Sequence, residues 1–335
     1  MSCEITMRET GVDIQGDSLD EILIEAYNRL QASGLPNVGT RGPNKEIIGV
    51  GLRIAHPRAR LSRSANRGLA FSALGEFLWY LTKSDDVAFI TAYISAYEDE
   101  IDETGAINGA YGPRIYTRHG LNQIEAVIKL LERKPNTRRA VIQIYAAKDL
   151  ETDNEVPCTT SLQFFIRDGR LHLMASLRSN DAYLGLPHDV FCFTMLQEMI
   201  ARRLNVDVGE YLQMVGSFHL YDKHEKRAAN YIKEGHHSLA QMPEMPAGDP
   251  FSIIPEVLHV EEMIRTGQAA VEDAIATLPD YWADLMRLVQ AHFTPDPSKL
   301  DAITVQLGNR SYGTYIDDLR DRRIAKLARE AEEKI

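Results

Sequence analysis

Three residues of this chain combine a reactive side chain with a setting that could use it. Cys158, in "EVPCTT", follows Pro157 at a loop-to-strand junction where a thiol can be exposed. A thiolate there is a strong nucleophile, although a single cysteine can equally pack as an inert small hydrophobe. Glu76, in "ALGEFLWYL", is surrounded by apolar side chains on a helix that should face the core. Burying a carboxyl is costly unless it is paired, and desolvation moves such a group toward the range where it exchanges protons near neutral pH. Glu76 is therefore an acid–base candidate, or else a structural partner or a group that reaches solvent. Asp189, in "LGLPHDVFCF", opens an apolar helix after a glycine-proline turn. It can cap that helix by accepting one of its four unpaired N–H groups, or it can read a ligand.

Arginines gather in two places: the pair Arg138–Arg139 that opens a strand, and Arg178, followed by Ser179 at the end of a hairpin. Planar guanidinium groups bind phosphate bidentately and a hydroxyl can complete such a site, while a surface-charge reading fits equally. Neighbours on a strand point to opposite faces, so Arg138 and Arg139 cannot serve one site unless the strand has ended or bulged. His219 and Tyr221 share a strand face by period-2 spacing and suit a sugar hydroxyl, or form a half-buried structural pair. Metal ligation has little support: His219 and His224 lack a third ligand, His236–His237 fall in a loop, and Cys192 lies inside a buried helix. No Walker loop and no G-x-G-x-x-G after a strand occurs.

The bulk numbers narrow the class. A chain of 335 residues, 44% hydrophobic and 25% charged, is long enough for a sizeable core. Its formal net charge of -11 and pI near 5.4 argue against a duplex nucleic-acid binder. A phosphate ligand would then need a local arginine cluster. Three cysteines without a C-x-x-C pair and a start, "MSCEITMRETGVD", without a leader pattern are expected of a reducing, cytoplasmic setting. Apolar runs fall well short of the roughly 18 residues a membrane span needs, so no membrane is expected.

The elements that must position these residues read as follows. Residues 18–33 form an amphipathic helix with a Ser start and acidic first turn; 46–56 a glycine-interrupted strand with a bulge or close approach; 67–87 a mostly apolar helix. A helix over 121–137, ended by Pro135, precedes a strand over 138–146. Residues 160–179 make an antiparallel hairpin about Asp168–Gly169. A buried helix over 189–204 and a strand over 209–221 follow, then a Pro- and Met-rich loop over 240–256 and a charged, solvated helix over 315–335. The irregular order, without β-α alternation or repeats, predicts an α+β protein. No composition shift marks a linker, so one domain over 1–335 is expected, with its core at about 20–225 and a more variable C-terminal third.

Taken in order, "TRG", "GEFLWYL", "GAYGPR", "TRRAVI", "VPCTTSLQFF", "LRSNDAYLGLP" and "FHLY" resemble the thymidylate synthases and their pyrimidine hydroxymethylase relatives over roughly residues 20–225. The resemblance implies a large mixed β-sheet with packed helices, a sheet-backed homodimer, and 5,10-methylenetetrahydrofolate as co-substrate with no metal. Residue by residue, it implies that Cys158 is the nucleophile that adds to C6 of the pyrimidine and that Glu76 is the acid–base acting through ordered water. Arg41, Arg178 and Ser179 match in-chain phosphate ligands, and Arg138 and Arg139 a pair lent by the partner subunit, which removes the strand-face difficulty. His219 and Tyr221 match ligands of the sugar 3′-hydroxyl, Tyr111 an active-site tyrosine, and Asp181 and Gly185 the folate side. Nearby arginines are expected to lower the pKa of Cys158.

Asp189 stands where the family has the asparagine that reads the pyrimidine edge. An amide satisfies the 4-oxygen and N3–H of uracil, whereas a carboxylate suits the 4-amino group and N3 of cytosine. The residue thus implies a cytosine nucleotide, CMP or dCMP, and 5-hydroxymethylation of it, with Asp189 joining Cys158 and Glu76 in catalysis; within the hydroxymethylases the likeness is to the cytidylate enzymes of nucleoside-antibiotic biosynthesis. Thr159, Leu177 and His188 depart from the synthase pattern beside the pyrimidine. Tyr97 and Glu100 fall where folate-side tryptophans are expected, and the C-terminus is a charged helix instead of a short apolar tail. These departures fit a site that admits water. Ser176, small where synthases carry Tyr and two residues before Arg178, is expected to bear on the sugar preference. A methylating synthase acting on dUMP or dCMP, a thiol hydrolase built on Cys158 and His219, and a non-catalytic nucleotide-binding module stay open at this point.

Overall fold

The computed structural model describes residues 10–64, 70–235 and 239–332. Cys3, His236 and His237 lie outside them. Among the described residues seven strands form one sheet: β1 (Thr10–Gly16), β2 (Leu35–Gly39), β3 (Gly42–Ile54), β4 (Val141–Gln143), β5 (Thr159–Arg167), β6 (Arg170–Asp181) and β7 (Asp207–Tyr221). Their order is β1-β3-β7-β6-β5-β4, with β2 folded back on the start of β3. β1 runs parallel to β3 and β6 parallel to β7, while the other pairs are antiparallel, so the sheet is mixed, as expected.

The hairpin β5–β6 turns at Asp168 and Gly169, with φ of 50° and 71°. Left-handed backbone at both central residues is what a two-residue hairpin loop requires, and an Asp-Gly pair tolerates it well. Gly49, φ +77°, breaks the alternation within β3 while the pairs on either side stay in register with β7. The predicted glycine interruption is therefore a backbone irregularity that only glycine adopts at little cost. The strand expected over 138–146 forms only at 141–143, and Arg138 and Arg139 precede it. β1 and β2 lie in stretches to which the sequence reading assigns no element.

The described residues also form twelve α-helices: α1 (Leu19–Ser33), α2 (Ala70–Thr82), α3 (Val87–Thr91), α4 (Tyr111–Tyr116), α5 (Gln123–Arg133), α6 (Gly185–Arg203), α7 (Glu225–Glu234), α8 (Ile254–Arg265), α9 (Val271–Thr277), α10 (Asp280–Phe293), α11 (Leu300–Val305) and α12 (Gly313–Glu332). Ser18 caps α1, accepting from the Glu21 amide at 3.3 Å, and the Ile22, Leu23, Ala26, Tyr27 and Leu30 side is buried. The apolar helices α2 and α6 pack against each other, and α6 against β6 and β7. Their contact brings Glu76 on α2 near Asp189 on α6.

α6 begins at Gly185, a turn earlier than its sequence predicts, so Asp189 lies inside the helix and caps nothing. Pro187 permits this because first-turn N–H groups have no intrahelical partner to lose. The C-terminal third, legible in the sequence only as its last helix, is a helical layer on α2: the ring of His292 on α10 stacks on Tyr93 (centroids 5.3 Å, 12°) and on Phe71 (6.1 Å, 28°). α12 buries only Gly313, Tyr315 and Ile316, so most of it is solvated as predicted.

Candidate active site

Cys158 is half-buried just before β5. Arg178 on the adjacent strand holds its segment three times: its amide donates to Cys158 O at 2.8 Å, its Nε to Pro157 O at 3.0 Å and its Nη2 to Val156 O at 3.0 Å. Burial pushes the thiol up to about 11; Arg178 and Arg41 pull it down, while Asp189 and Glu155 push it further up. The expected lowering is overturned. Desolvation outweighs the arginines, and Arg41 is engaged by two carboxylates of its own: Glu100 at 2.8 Å and Glu155 at 3.0 Å. Burial alone would lower the Arg41 guanidinium, but those glutamates hold it above its ordinary value.

Glu76 is buried on α2, and its Oε1 accepts from Tyr80 Oη at 2.8 Å and from Tyr97 Oη at 3.2 Å. Two phenols on one oxygen orient the carboxylate. The α2 and α6 sequences are both apolar enough to be drawn into the core, and they carry Glu76 and Asp189 in with them. Burial, then repulsion from Glu76, holds the Asp189 carboxyl well above its ordinary range, while a hydrogen bond from Asn180 Nδ2 to its Oδ2 at 2.7 Å acts the other way. Asn180 Oδ1 in turn accepts from Gln213 Nε2 at 2.9 Å, and Gln213 Oε1 from Tyr211 Oη at 2.6 Å. Gly185 leaves room for this contact: a Cβ there would meet Asn180 Nδ2 at 3.0 Å. Cys192 is buried beside the two carboxylates, its thiol 3.7 Å from Ala73 O.

Tyr111 joins the two halves. Its hydroxyl donates to Thr159 Oγ1 at 3.0 Å and accepts from the Thr159 amide at 3.1 Å, and its ring stacks on Tyr80. Burial, then Asp189 and Cys158, raise its phenol well above the usual value, so all three groups share one electrostatic environment. On the opposite side, His219 and Tyr221 form an edge-to-face pair with centroids 4.9 Å apart. His219 pairs in register with Glu46 and Asp181, and burial lowers its imidazole while Asp181 raises it. Burial, then Asp181, raise the Tyr221 phenol, which also feels Arg41 and Cys158. Ser179 pairs with Ser217 across β6–β7.

Cys158, Glu76, Asp189, Arg41, Tyr111, Arg178, Asp181, His219 and Tyr221 are thus neighbours, with Gly185 and Ser179 beside them. Ser176 is not drawn in, and Arg138 and Arg139, expected to serve a partner's site, lie apart from this one. Arg138 and Arg139 are exposed, and among the described residues their guanidinium groups have no partner. Ser176 alternates with the buried Ala175 and Leu177 and pairs with the exposed Met214, so it lies on the sheet face away from the helices. Of the departures noted in the sequence, Thr159 and Leu177 are buried. His188 bridges Leu184 O (2.8 Å) and Ser72 Oγ (3.0 Å), and Tyr97 and Glu100 line the wall between Glu76 and Arg41.

Asn180, Gln213, Tyr211, Tyr80 and Glu155 escaped the sequence reading. The signal for two of them was present: Tyr211 and Gln213 stand at period 2 with Val215 on β7, polar groups on a face that must be buried. Among the described residues no group of three or more His, Cys, Asp or Glu could hold a metal ion, and no helix is long and apolar enough to cross a membrane.

A mixed sheet with the apolar helix α6 packed on it and α2 packed on α6 is the α+β fold of a thymidylate synthase domain. The family model described as thymidylate synthase matches residues 55–252, well over half of the chain. The protein belongs to the thymidylate synthase family. This is a family of one-carbon transferases that use methylenetetrahydrofolate and a pyrimidine nucleotide. Similar relatives include the thymidylate synthase of Buchnera aphidicola subsp. Baizongia pistaciae, 30% identical over 64% of this chain and 81% of the relative. The thymidylate synthase of Francisella philomiragia subsp. philomiragia is 30% identical over 46% of this chain and 62% of its own length. That of Coxiella burnetii is 25% identical over 51% and 67%.

Proposed function

We propose that this protein is a cytoplasmic, homodimeric enzyme that uses 5,10-methylenetetrahydrofolate and water to hydroxymethylate C5 of a cytosine nucleotide, CMP or dCMP. The observation that carries the reading is Asp189: a buried carboxyl, held by Asn180, at the position where the family resemblance expects an amide. A carboxyl pairs with the 4-amino group and N3 of cytosine. Opposite uracil the ionised carboxylate, which only accepts, would leave the 4-oxygen without a donor, a cost of about 1–3 kcal/mol for an unpaired buried group.

In this reading Cys158 adds as thiolate to C6, and the electron density released at C5 attacks the methylene carbon of the folate. Loss of the C5 proton and departure of tetrahydrofolate leave an exocyclic methylene. Water adds to it, Cys158 is expelled, and the 5-hydroxymethyl nucleotide results without any change in folate oxidation state. Glu76, oriented by Tyr80 and Tyr97, is placed to pass protons and to direct that water. Arg41, Arg178 and Ser179 hold the phosphate, and His219 and Tyr221 the sugar; Ser176, on the other face of the sheet, takes no part. Asp181 fits the folate side: its Oδ1 accepts from the Tyr183 amide at 2.8 Å, and its other oxygen has no partner among the described residues. Gly185 presents bare backbone next to it.

The homodimer is supported by the bare sheet face, where Ile48 is 42% and Met214 47% exposed, and by the unpartnered guanidinium groups of Arg138 and Arg139, which can reach a second copy's phosphate. The product is of the kind used in nucleoside-antibiotic biosynthesis of the mildiomycin type, as the resemblance implies. Because the named relatives are thymidylate synthases, the competing reading is methyl transfer to dUMP or dCMP with dihydrofolate as co-product. Incubation with methylenetetrahydrofolate and CMP, dCMP or dUMP in parallel, followed by product mass and dihydrofolate absorbance, separates them. Hydroxymethylated cytidylate without dihydrofolate supports the proposal; a methylated product with dihydrofolate refutes it.

A further inference from the structure

The hydrogen bonds behind Asp189 have a direction. Tyr211 Oη donates to Gln213 Oε1 (2.6 Å), Gln213 Nε2 donates to Asn180 Oδ1 (2.9 Å), and Asn180 Nδ2 donates to Asp189 Oδ2 (2.7 Å). All four side chains are buried, with Gln213 and Tyr211 wholly inaccessible. No step can be replaced by bulk water. A carboxamide turned end for end would place its oxygen against the next acceptor, and a buried acceptor pair is penalised. The phenol at the head of the chain donates outward, so it fixes the sense of Gln213, which fixes Asn180, which reserves Asp189 Oδ2 as an acceptor.

This leaves only one place for a proton. With Oδ2 accepting from Asn180, the neutral carboxyl carries its hydrogen on Oδ1. The free edge is then one donor, Oδ1–H, beside one acceptor, the remaining lone pair of Oδ2. Neutral cytosine presents the complement, N3 as acceptor and the 4-amino group as donor. In the seating that belongs to this proposal, with N3 against Oδ1 and the 4-substituent against Oδ2, uracil sets N3–H against Oδ1–H and its 4-oxygen against Oδ2, two mismatches at once. The carboxyl is near the nucleophile: Asp189 belongs to the electrostatic surroundings of both the Cys158 thiol and the Tyr111 hydroxyl.

We propose that Tyr211, Gln213 and Asn180 form a hydrogen-bond relay of fixed polarity that assigns the Asp189 proton to Oδ1, so that Tyr211, remote from the base, helps determine cytosine selectivity. The inference rests on the cytidylate reading of the site. Tyr211, Gln213 and Asn180 are positioning residues; only Asp189 touches the base.

The test is calorimetric binding of CMP, dCMP, UMP and dUMP to the whole protein, without folate. It is run on wild type, Tyr211→Phe, Gln213→Met and the double variant, with thermal midpoints recorded alongside. Tyr211→Phe removes one oxygen and Gln213→Met keeps the side-chain length, so loss of either fold leaves the other to decide. The expected result is that each variant loses about tenfold of the cytidylate-over-uridylate preference, by weaker cytidylate binding, the scale of one buried hydrogen bond. The double variant should lose no more than the worse single, because both sever one chain. A merely structural role would weaken both bases alike. Preference kept within twofold in the folded variants overturns the relay and leaves the cytidylate reading intact. A wild type that binds uridylate as well as cytidylate overturns both.

Discussion

The Tyr111 hydroxyl lies 3.0 Å from Thr159 Oγ1 and 3.1 Å from the Thr159 amide nitrogen, pinning α4 to β5 at the residue after Cys158. Thr159 is fully buried, so no water can take over this amide. Tyr111→Phe should therefore destabilise the protein by about 1–3 kcal/mol. It should also lower kcat about tenfold or more by loosening the thiol. Thermal unfolding and steady-state kinetics on one preparation check this. A variant of wild-type activity would mean that the tyrosine holds structure alone.

Burial of Cys158 predicts a sluggish free thiol. With its pKa near 11 in place of 9.0, the thiolate fraction at neutral pH is smaller by about a hundredfold. A more basic thiolate is intrinsically more nucleophilic, which recovers roughly tenfold of that. Iodoacetamide should thus label Cys158 about ten times more slowly than a model thiol. Because deprotonation is uphill below the pKa, the rate should climb tenfold per pH unit and level off only near 11. A plateau at or below pH 9 would contradict the desolvated setting.

Glu100 and Glu155 both meet Arg41 through Nη2, so a phosphate drawn to its other donors must bind against the charge of two carboxylates. The side chains are partly exposed, so each pair contributes at most about 1 kcal/mol. Glu155→Gln should tighten nucleotide binding by up to about fivefold and leave kcat near wild type. Titration of the nucleotide at several salt concentrations tests it, since screening should bring wild type and variant together. Unchanged affinity at low salt would show that Arg41 never meets the phosphate.

Away from the chemistry, Arg114 and Asp149 form a buried bidentate pair at 2.6 and 2.8 Å, completed by Asn108 O and Ile144 O. Asp149→Ala strands a buried guanidinium and should cost about 3–5 kcal/mol. Burial pushes the Asp149 carboxyl up, but Arg114 and the Ala146 amide hold it below its ordinary value. A depressed carboxyl contributes fully at neutral pH and loses its contribution as the pH falls through the folded-state value. Acid unfolding of wild type should show that loss below about pH 4. The Asp149→Ala variant should lack it, as denaturant midpoints across pH would reveal.

What the sequence by itself determined was local. Apolar runs required α2 and α6 to be buried, Asp168–Gly169 required a tight hairpin, and a glutamate inside an apolar helix had to be drawn inward. A sequence reading could therefore name Cys158, Glu76 and Asp189 and state the chemistry they allow. Tertiary structure alone decided how those groups interact. It moved the start of α6 back to Gly185, turning Asp189 from a cap into a buried group held by Asn180. It also raised the Cys158 thiol by burial where neighbouring arginines promised the opposite, and tied those arginines to carbonyls and glutamates. The relay from Tyr211 through Gln213 and Asn180 joins β7, β6 and α6. Side-chain polarity at such a junction depends on strand register and on the distance between layers, and neither is encoded in the period of any one segment.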